Sequence, residues 1–292
     1  MLLQKIKQLV SHSSLLKTII LPIYSGKIIY WIYKTFNLKF SYSLLDKRKV
    51  KFFSKGQIAP SIFSRTFEKK DLAIFQKLLT PGSTMIDAGA NIGLYSIIGS
   101  KLVGPMGRIF SFEPSKSNYN LFLKNIKLNK VENIVPINMG LGDKSNEILT
   151  LFQNTQAGDA EKYILRNKLN KNQFSELILM DTLDNFQSVN NIPKIDLLKI
   201  DVEGYEYYLL KGAKNFLKKN PKIIILFECV DHLAERVGAT KKDVFTFLKD
   251  IGFDIVYWNK KNGYWSDDQV GAMKSGQLLG GKNITSVLNK LV

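Results

Sequence analysis

Along this chain, short continuous apolar runs alternate with stretches whose apolar residues recur every three to four positions. From residue 68 onward the runs at 84–86, 108–112, 134–138, 177–180, 195–200, 223–227 and 254–258 predict strands. Helical periodicity predicts helices over 68–79, 94–102, 116–128, 205–217 and 241–251, the first closed by Thr80, Pro81 and Gly82. Strands that alternate with helices of ten or more residues imply βαβ units and a parallel sheet covered on both faces, an α/β fold. The unbroken run Ile223-Ile-Ile-Leu-Phe227 fits a strand buried on both sides. Two stretches depart from the pattern. Residues 153–174 are polar, basic and weakly periodic and read as an excursion or mobile insertion, and residues 276–281 are glycine-rich and only weakly strand-like.

Before residue 68 the pattern is of another kind. Leu15, Leu16, Ile19, Ile20, Leu21 and Ile23, then Ile28, Ile29, Tyr30, Trp31, Ile32 and Tyr33, are interrupted by Lys17, Lys27 and Lys34. No uncharged stretch here exceeds nine residues, whereas a spanning helix needs about 20 apolar ones. A signal peptide's continuous apolar region and small-residue cleavage site are also missing. The formal charge of +17 is concentrated in this part: residues 1–70 carry 14 Lys/Arg and 2 acids. The chain therefore divides into a basic, apolar extension (1–67) and a nearly balanced domain (68–292). Two readings of the extension stand level. In one, amphipathic helices with Trp31, Tyr30 and Tyr33 at the interface bring residues 1–55 against an anionic membrane, at the inner face in the cytoplasm. In the other, the apolar residues pack on the domain and the lysines are solvated.

Composition narrows the chemistry. A lone Cys229 excludes disulfide scaffolds and multi-cysteine metal sites, and two histidines, His12 and His232, argue against a His-rich one. The 37 Lys against 5 Arg disfavour nucleic acid, where bidentate Arg contacts are the usual specific device.

In an open parallel sheet, ligands bind beyond the carboxyl ends of the strands. The first predicted strand runs into Asp87-Ala-Gly89-Ala-Asn91-Ile-Gly93, glycines that permit a tight turn and a close approach. Asp87 would repel a pyrophosphate, which disfavours a nicotinamide-dependent oxidoreductase and favours a cationic ligand. Glu113, 20 residues beyond Gly93, suits a pair of ribose hydroxyls. Asp143 follows the third strand and suits an adenine amino group. Asp201, Glu203 and Glu206 follow a further strand, and Glu228 the next, with His232 four residues on. Each alone reads as a helix cap or loop charge, but five successive strand ends each presenting an acid match S-adenosylmethionine, whose sulfonium and ammonium are cationic.

The motifs Ile86-Asp-Ala-Gly-Ala-Asn-Ile-Gly93, Phe112-Glu-Pro114, Thr182-Leu-Asp184, Leu198-Lys-Ile-Asp-Val-Glu-Gly-Tyr-Glu206 and Leu226-Phe-Glu228 resemble those of the FkbM family of S-adenosylmethionine-dependent methyltransferases, over roughly residues 68–258. The resemblance implies a class I methyltransferase (Rossmann-like) fold, a seven-stranded sheet of order 3-2-1-4-5-7-6 with the seventh strand antiparallel. It implies methyl transfer to a hydroxyl of a sugar, glycan or small metabolite. Carried over by position, Asp87, Gly89, Asn91 and Gly93 would hold the methionine part of the cofactor, Glu113 the ribose, Asp143 the adenine, and Asp201 the floor of the site. An alcohol must lose its proton as it attacks, so a general base is expected on the same rim. The candidates are Glu203, Glu228 and His232. No metal is expected as a required part, although Asp201 and Glu228 are chemically able to bind a hard divalent cation. The competing reading from another class is a non-catalytic, membrane-docked binding protein on the same fold.

Overall fold

The computed structural model describes residues 39–44, 49–53, 69–153, 162–164, 175–192, 194–259, 263–265, 277–282 and 284. An antiparallel pair, β1 (Lys39–Ser43) and β2 (Lys49–Phe53), comes first. Next come α1 (Lys69–Leu78), β3 (Thr84–Ala88), α2 (Leu94–Val103), β4 (Arg108–Phe112), α3 (Lys116–Asn129) and β5 (Ile134–Ile137). After β5 the chain forms β6 (Gly140–Leu141), β7 (Glu147–Gln153), β8 (Lys162–Ile164) and β9 (Ser175–Asp181). It continues as α4 (Leu183–Asn190), β10 (Leu197–Ile200), α5 (Glu206–Lys211), α6 (Lys214–Lys219) and β11 (Ile224–Glu228). Helices α7 (Asp231–Arg236) and α8 (Lys241–Asp250) precede β12 (Asp254–Asn259), β13 (Gly263–Trp265) and β14 (Gln277–Gly281).

The main sheet has the order β13-β12-β14-β11-β10-β3-β4-β5. Read from β5, this is 3-2-1-4-5-7-6 with β13 added at the far edge, and β14 runs antiparallel between β11 and β12. The fold is that of a class I methyltransferase. The glycine-rich stretch that read weakly as a strand is β14, an interior strand carried by the buried Leu278 and Leu279. All four residues of β10 are buried, the condition under which alternation vanishes and a strand reads as one apolar run.

Two expected elements differ. The predicted helix over 205–217 is split into α5 and α6 where Gly212 touches the turn after β6. A Cβ on Gly212 would stand 1.9 Å from the Gly142 carbonyl oxygen, so the helix gives way there to backbone contact. The apolar run at 177–180 lies in β9, which joins a second sheet of order β6-β9-β7-β8. In it Ile178 and Met180 are buried while Leu177 and Leu179 are exposed, the alternation of a sheet with one free face. Within the excursion expected over 153–174, β8 adds an edge strand to that sheet.

The described part of the N-terminal extension packs on the domain. Val50 and Phe52 of β2 are buried in one cluster with Leu72, Phe75, Leu94 and Phe122. Residues 1–38, on which the membrane expectation mainly falls, lie outside the described residues. Among the described residues, no helix is long and apolar enough to cross a membrane.

Candidate active site

The loop after β3 is fixed by backbone geometry before any side chain is considered. Gly89 has φ +82°, and a Cβ there would come within 1.8 Å of the Asp201 carbonyl oxygen, so this glycine lets the ends of β3 and β10 touch. The Gly89 and Ala90 amides both donate to the Phe112 carbonyl, at 3.0 and 2.8 Å, which binds the loop to the end of β4. Asn91 is left-handed at φ 51°, a region asparagine tolerates. Its amide donates to Glu113 Oε2 at 2.7 Å.

Glu113 is 5% exposed, and its other oxygen accepts from the Ser115 amide at 2.9 Å. Burial pushes its carboxyl up to about 7, against the opposing pull of these amides and of Lys162. Lys162, from β8, donates to the hydroxyls of Ser115 and Ser117 at the start of α3 and lies 3.5 Å from Glu176. The short strand β8 is thereby fastened across the cleft to the turn that carries Glu113.

Behind the loop lies a buried charge network dictated by strand register. Asp87 of β3 is level with Lys199 of β10 on one side and Ser111 of β4 on the other, so the three share one face of the sheet. Lys199 Nζ is 4.0 Å from Asp87 and 3.1 Å from Asp201, and sits 4.3 Å from the centre of the Tyr95 ring. Ser96 donates to Asp87 Oδ2, while Oδ1 is buried with no hydrogen-bond partner. Burial raises the Asp87 carboxyl above its ordinary range, and Lys199 works against that rise.

The turn after β10 is strained. Glu203 is left-handed at φ 52° and Gly204 follows at φ 100°. A Cβ on Gly204 would be 2.3 Å from the Leu233 carbonyl, so α7 closes directly on this turn. Holding a glutamate in that region costs on the order of 1–3 kcal/mol, which the surroundings must impose. Glu206, at the start of α5, accepts from the Gly204 amide at 3.1 Å and so supports the turn from inside. Its Oε2 is buried without a hydrogen-bond partner, and burial lifts its carboxyl to about 7.

These pieces enclose one cleft. It is lined by Gly89, Asn91, Glu113, Asp201, Glu203 and Tyr205 from the main-sheet loops, and by Leu151, Lys162, Tyr163 and Ile164 from the second sheet. Of the residues the sequence pointed to, Gly89, Asn91, Glu113, Asp201 and Glu203 therefore meet at one place. The other five do not line it. Asp87 lies beneath the loop in the network above. Gly93 instead makes room for Phe122, whose ring a Cβ would approach to 2.1 Å. Asp143 pairs with Lys211 at 3.5 Å. Glu228 is half-buried at the end of β11, and His232 is exposed on α7. Among the described residues no group of three or more His, Cys, Asp or Glu is placed to hold a metal ion. Cys229 is buried and its thiol is pushed up to about 12, chiefly by burial, which leaves it unreactive.

Lys162 and Tyr163 carried no signal in the sequence, since a three-residue strand in a polar stretch has no period to detect. Lys199 stood in a motif but had no role until register set it between two acids. The motif Thr182-Leu-Asp184 is explained by capping. Thr182 accepts from the Asn185 amide at 3.0 Å, and Asp184 accepts from the Asn215 and Phe216 amides at 3.1 and 2.6 Å, closing α6.

Comparison with known proteins agrees with this geometry. The family described as "Methyltransferase FkbM domain" matches residues 87–255. Methyltransferase 1 of Beauveria bassiana is 26% identical over 44% of this chain and 58% of its own length. Methyltransferase sdnD of Sordaria araneosa is 26% identical over 63% and 78%. Hexuronic acid methyltransferase AglP of Haloferax volcanii is 25% identical over 56% and 60%. The chain thus spans less than two thirds of the first and third of these proteins. Among solved structures, fibrillarin of Aeropyrum pernix with bound S-adenosyl-L-methionine aligns at 16% identity and TM-score 0.41, over 72% of this chain and 74% of that one.

Proposed function

We propose that this chain, which belongs to the FkbM methyltransferase family, is an S-adenosylmethionine-dependent O-methyltransferase acting on a hydroxyl of a sugar, glycan or small metabolite. The observation that carries the reading is the convergence of Gly89, Asn91, Glu113, Asp201 and Glu203 on one cleft. The residues present fit the cofactor. Three carboxylates face the cleft, suited to a ligand with a cationic end and a diol, and the glycine turn leaves backbone accessible beside them. When bound, the cofactor supplies an electrophilic methyl group.

The chain's own residues do the rest. Glu113, held by the Asn91 and Ser115 amides, retains oxygen lone pairs for a pair of ribose hydroxyls. Asp201, its charge shared with Lys199, offers a carboxylate to the cationic methionine end. Asp87 acts from behind, by orienting Lys199 and Ser96. Of the candidate bases only Glu203 lines the cleft, and its strained turn aims it from a fixed backbone. It takes the proton of the attacking hydroxyl, a role commonly worth about 10²–10⁴-fold in rate. The hexuronic acid methyltransferase among the relatives supports a sugar acceptor.

The test is transfer of labelled methyl to uronic acid-containing glycans, neutral sugars and small alcohols, with Glu203→Gln in parallel. The variant is expected to bind cofactor normally and to lose transfer by at least about 10²-fold. A variant with wild-type turnover would remove Glu203 from the mechanism, and methylation confined to nitrogen acceptors would exclude the oxygen-directed reading.

A further inference from the structure

We infer that Asn125 is a positioning residue that ties β2 to the cofactor loop, so that docking of the N-terminal strand pair and occupancy of the cleft stabilise each other. The inference rests on the cofactor reading above for its functional meaning, but its geometry stands apart from it.

In the β1–β2 sheet, β2 has a neighbour strand on one side only among the described residues. An edge strand needs partners for its other row of backbone groups. Two asparagines of α3, one helical turn apart and hence on one face, supply them. Asn129 Oδ1 accepts from the Lys51 amide at 2.8 Å and its Nδ2 donates to the Lys51 carbonyl at 2.6 Å. Asn125 treats Phe53 in the same way, accepting from its amide at 2.7 Å and donating to its carbonyl at 3.0 Å. Each side-chain amide thus acts as a segment of a missing strand.

Asn125 does one thing more. It is fully buried, and Nδ2 also donates to the carbonyl of Ile92 at 2.9 Å. Ile92 follows Asn91, whose amide is bonded to Glu113, and precedes Gly93, which rests on the Phe122 ring of the same helix face. The cofactor loop is therefore held in front by Glu113 and behind by Asn125, and the group behind is shared with β2. A loop firmed by ligand in front has less freedom to lose behind, and the coupling must run both ways. On this account the described part of the extension belongs to the cofactor-binding unit, and whatever pulls β2 away also loosens the cleft.

Hydrogen exchange on the full-length protein tests this, with S-adenosylhomocysteine as the probe. At saturation, established by calorimetry, exchange at the Lys51 and Phe53 amides is expected to slow by about fivefold or more in the wild type. The effect should persist at the Phe53 amide in Asn129→Ala, which loses only its bonds to Lys51 and within α3. It should vanish at the Lys51 amide, whose own partner Asn129 is retained, in Asn125→Ala, where the probe's Kd rises about tenfold. Unchanged Lys51 and Phe53 exchange in saturated wild type would overturn the inference, and that arm needs no variant. If Asn125→Ala does not fold, Asn125→Asp replaces it, with the same shape and neither donor. Should the probe fail to bind folded protein, the cofactor reading fails, and the tie is decided without ligand. Ile92 and Gly93 amides must then exchange at least about fivefold faster in Asn125→Ala than in Asn129→Ala, and equal rates would overturn it.

Discussion

Replacing Glu206 by Gln should make the folded protein more stable at alkaline pH and leave it nearly unchanged in acid. Glu206 is 3% exposed, has one oxygen without a hydrogen-bond partner, and titrates at about 7 in the fold against 4.5 when free. Burial is the main cause, and the nearby Asp201 charge adds to it. A raised carboxyl pKa means that the folded state prefers the protonated acid. The associated stability is complete below the free value of 4.5 and is lost as pH rises through about 7. At about 1.4 kcal/mol per pH unit, that interval corresponds to roughly 3 kcal/mol. Glutamine is neutral throughout, and its side-chain oxygen can still accept from the Gly204 amide. Urea unfolding from pH 4.5 to 8.5 should therefore show variant and wild type together in acid and separated by about 2–3 kcal/mol at the alkaline end, the variant being the more stable. Glu113 and Asp87, also raised by burial, titrate in both proteins and cancel in the difference. A difference that does not change with pH would show that Glu206 is not titrating between the two states.

Lys199→Met should leave Asp87 and Asp201 without the cation between them. Removing one partner of a buried pair costs about 3–5 kcal/mol, and the loss in thermal unfolding should shrink as pH is lowered, the direction in which burial already favours the protonated Asp87. An equal loss at pH 5 and 8 would count against the charge network. Asp184→Ala should cost about 1–2 kcal/mol by uncapping α6, with cofactor affinity unchanged in calorimetry. A fall in affinity would give the capping motif a direct role in the cleft.

The strand ends were legible because a parallel sheet brings its carboxyl ends to one edge whatever the side chains touch. That logic reached Gly89, Asn91, Glu113, Asp201 and Glu203, all of which line the cleft. It could not tell how far along the edge each acid sits or which face it takes. Glu228 ends β11, two strands from β3, about 10 Å away at ordinary strand spacing. Asp87 sits on the face occupied by Lys199, a consequence of register that no single strand reveals. Asp143 is drawn to Lys211 across 68 positions of sequence, and only the approach of Gly212 to Gly142 brings them near. Sheet order was implied by the family resemblance, whereas the pattern itself showed most of the main-sheet strands but read the interior β14 only weakly. Alternation identifies half-buried strands and continuous apolar runs identify buried ones, but β8 and β13, three residues each, offer neither. The charge of the first 70 residues left membrane docking and packing on the domain level, and the asparagine pairing that docks β2 on α3 is a tertiary contact with no sequence period.

The cleft between β3, β4 and β10 is expected to bind S-adenosylmethionine through its carboxylates. Calorimetric titration of the full-length protein with that cofactor, alongside Glu113→Ala, tests it most directly. Saturable binding is expected for the wild type, with affinity weakened at least about tenfold in the variant, or about 1.4 kcal/mol. A folded wild-type protein that gives no binding heat, or a Glu113→Ala variant that binds as tightly as wild type, would contradict it.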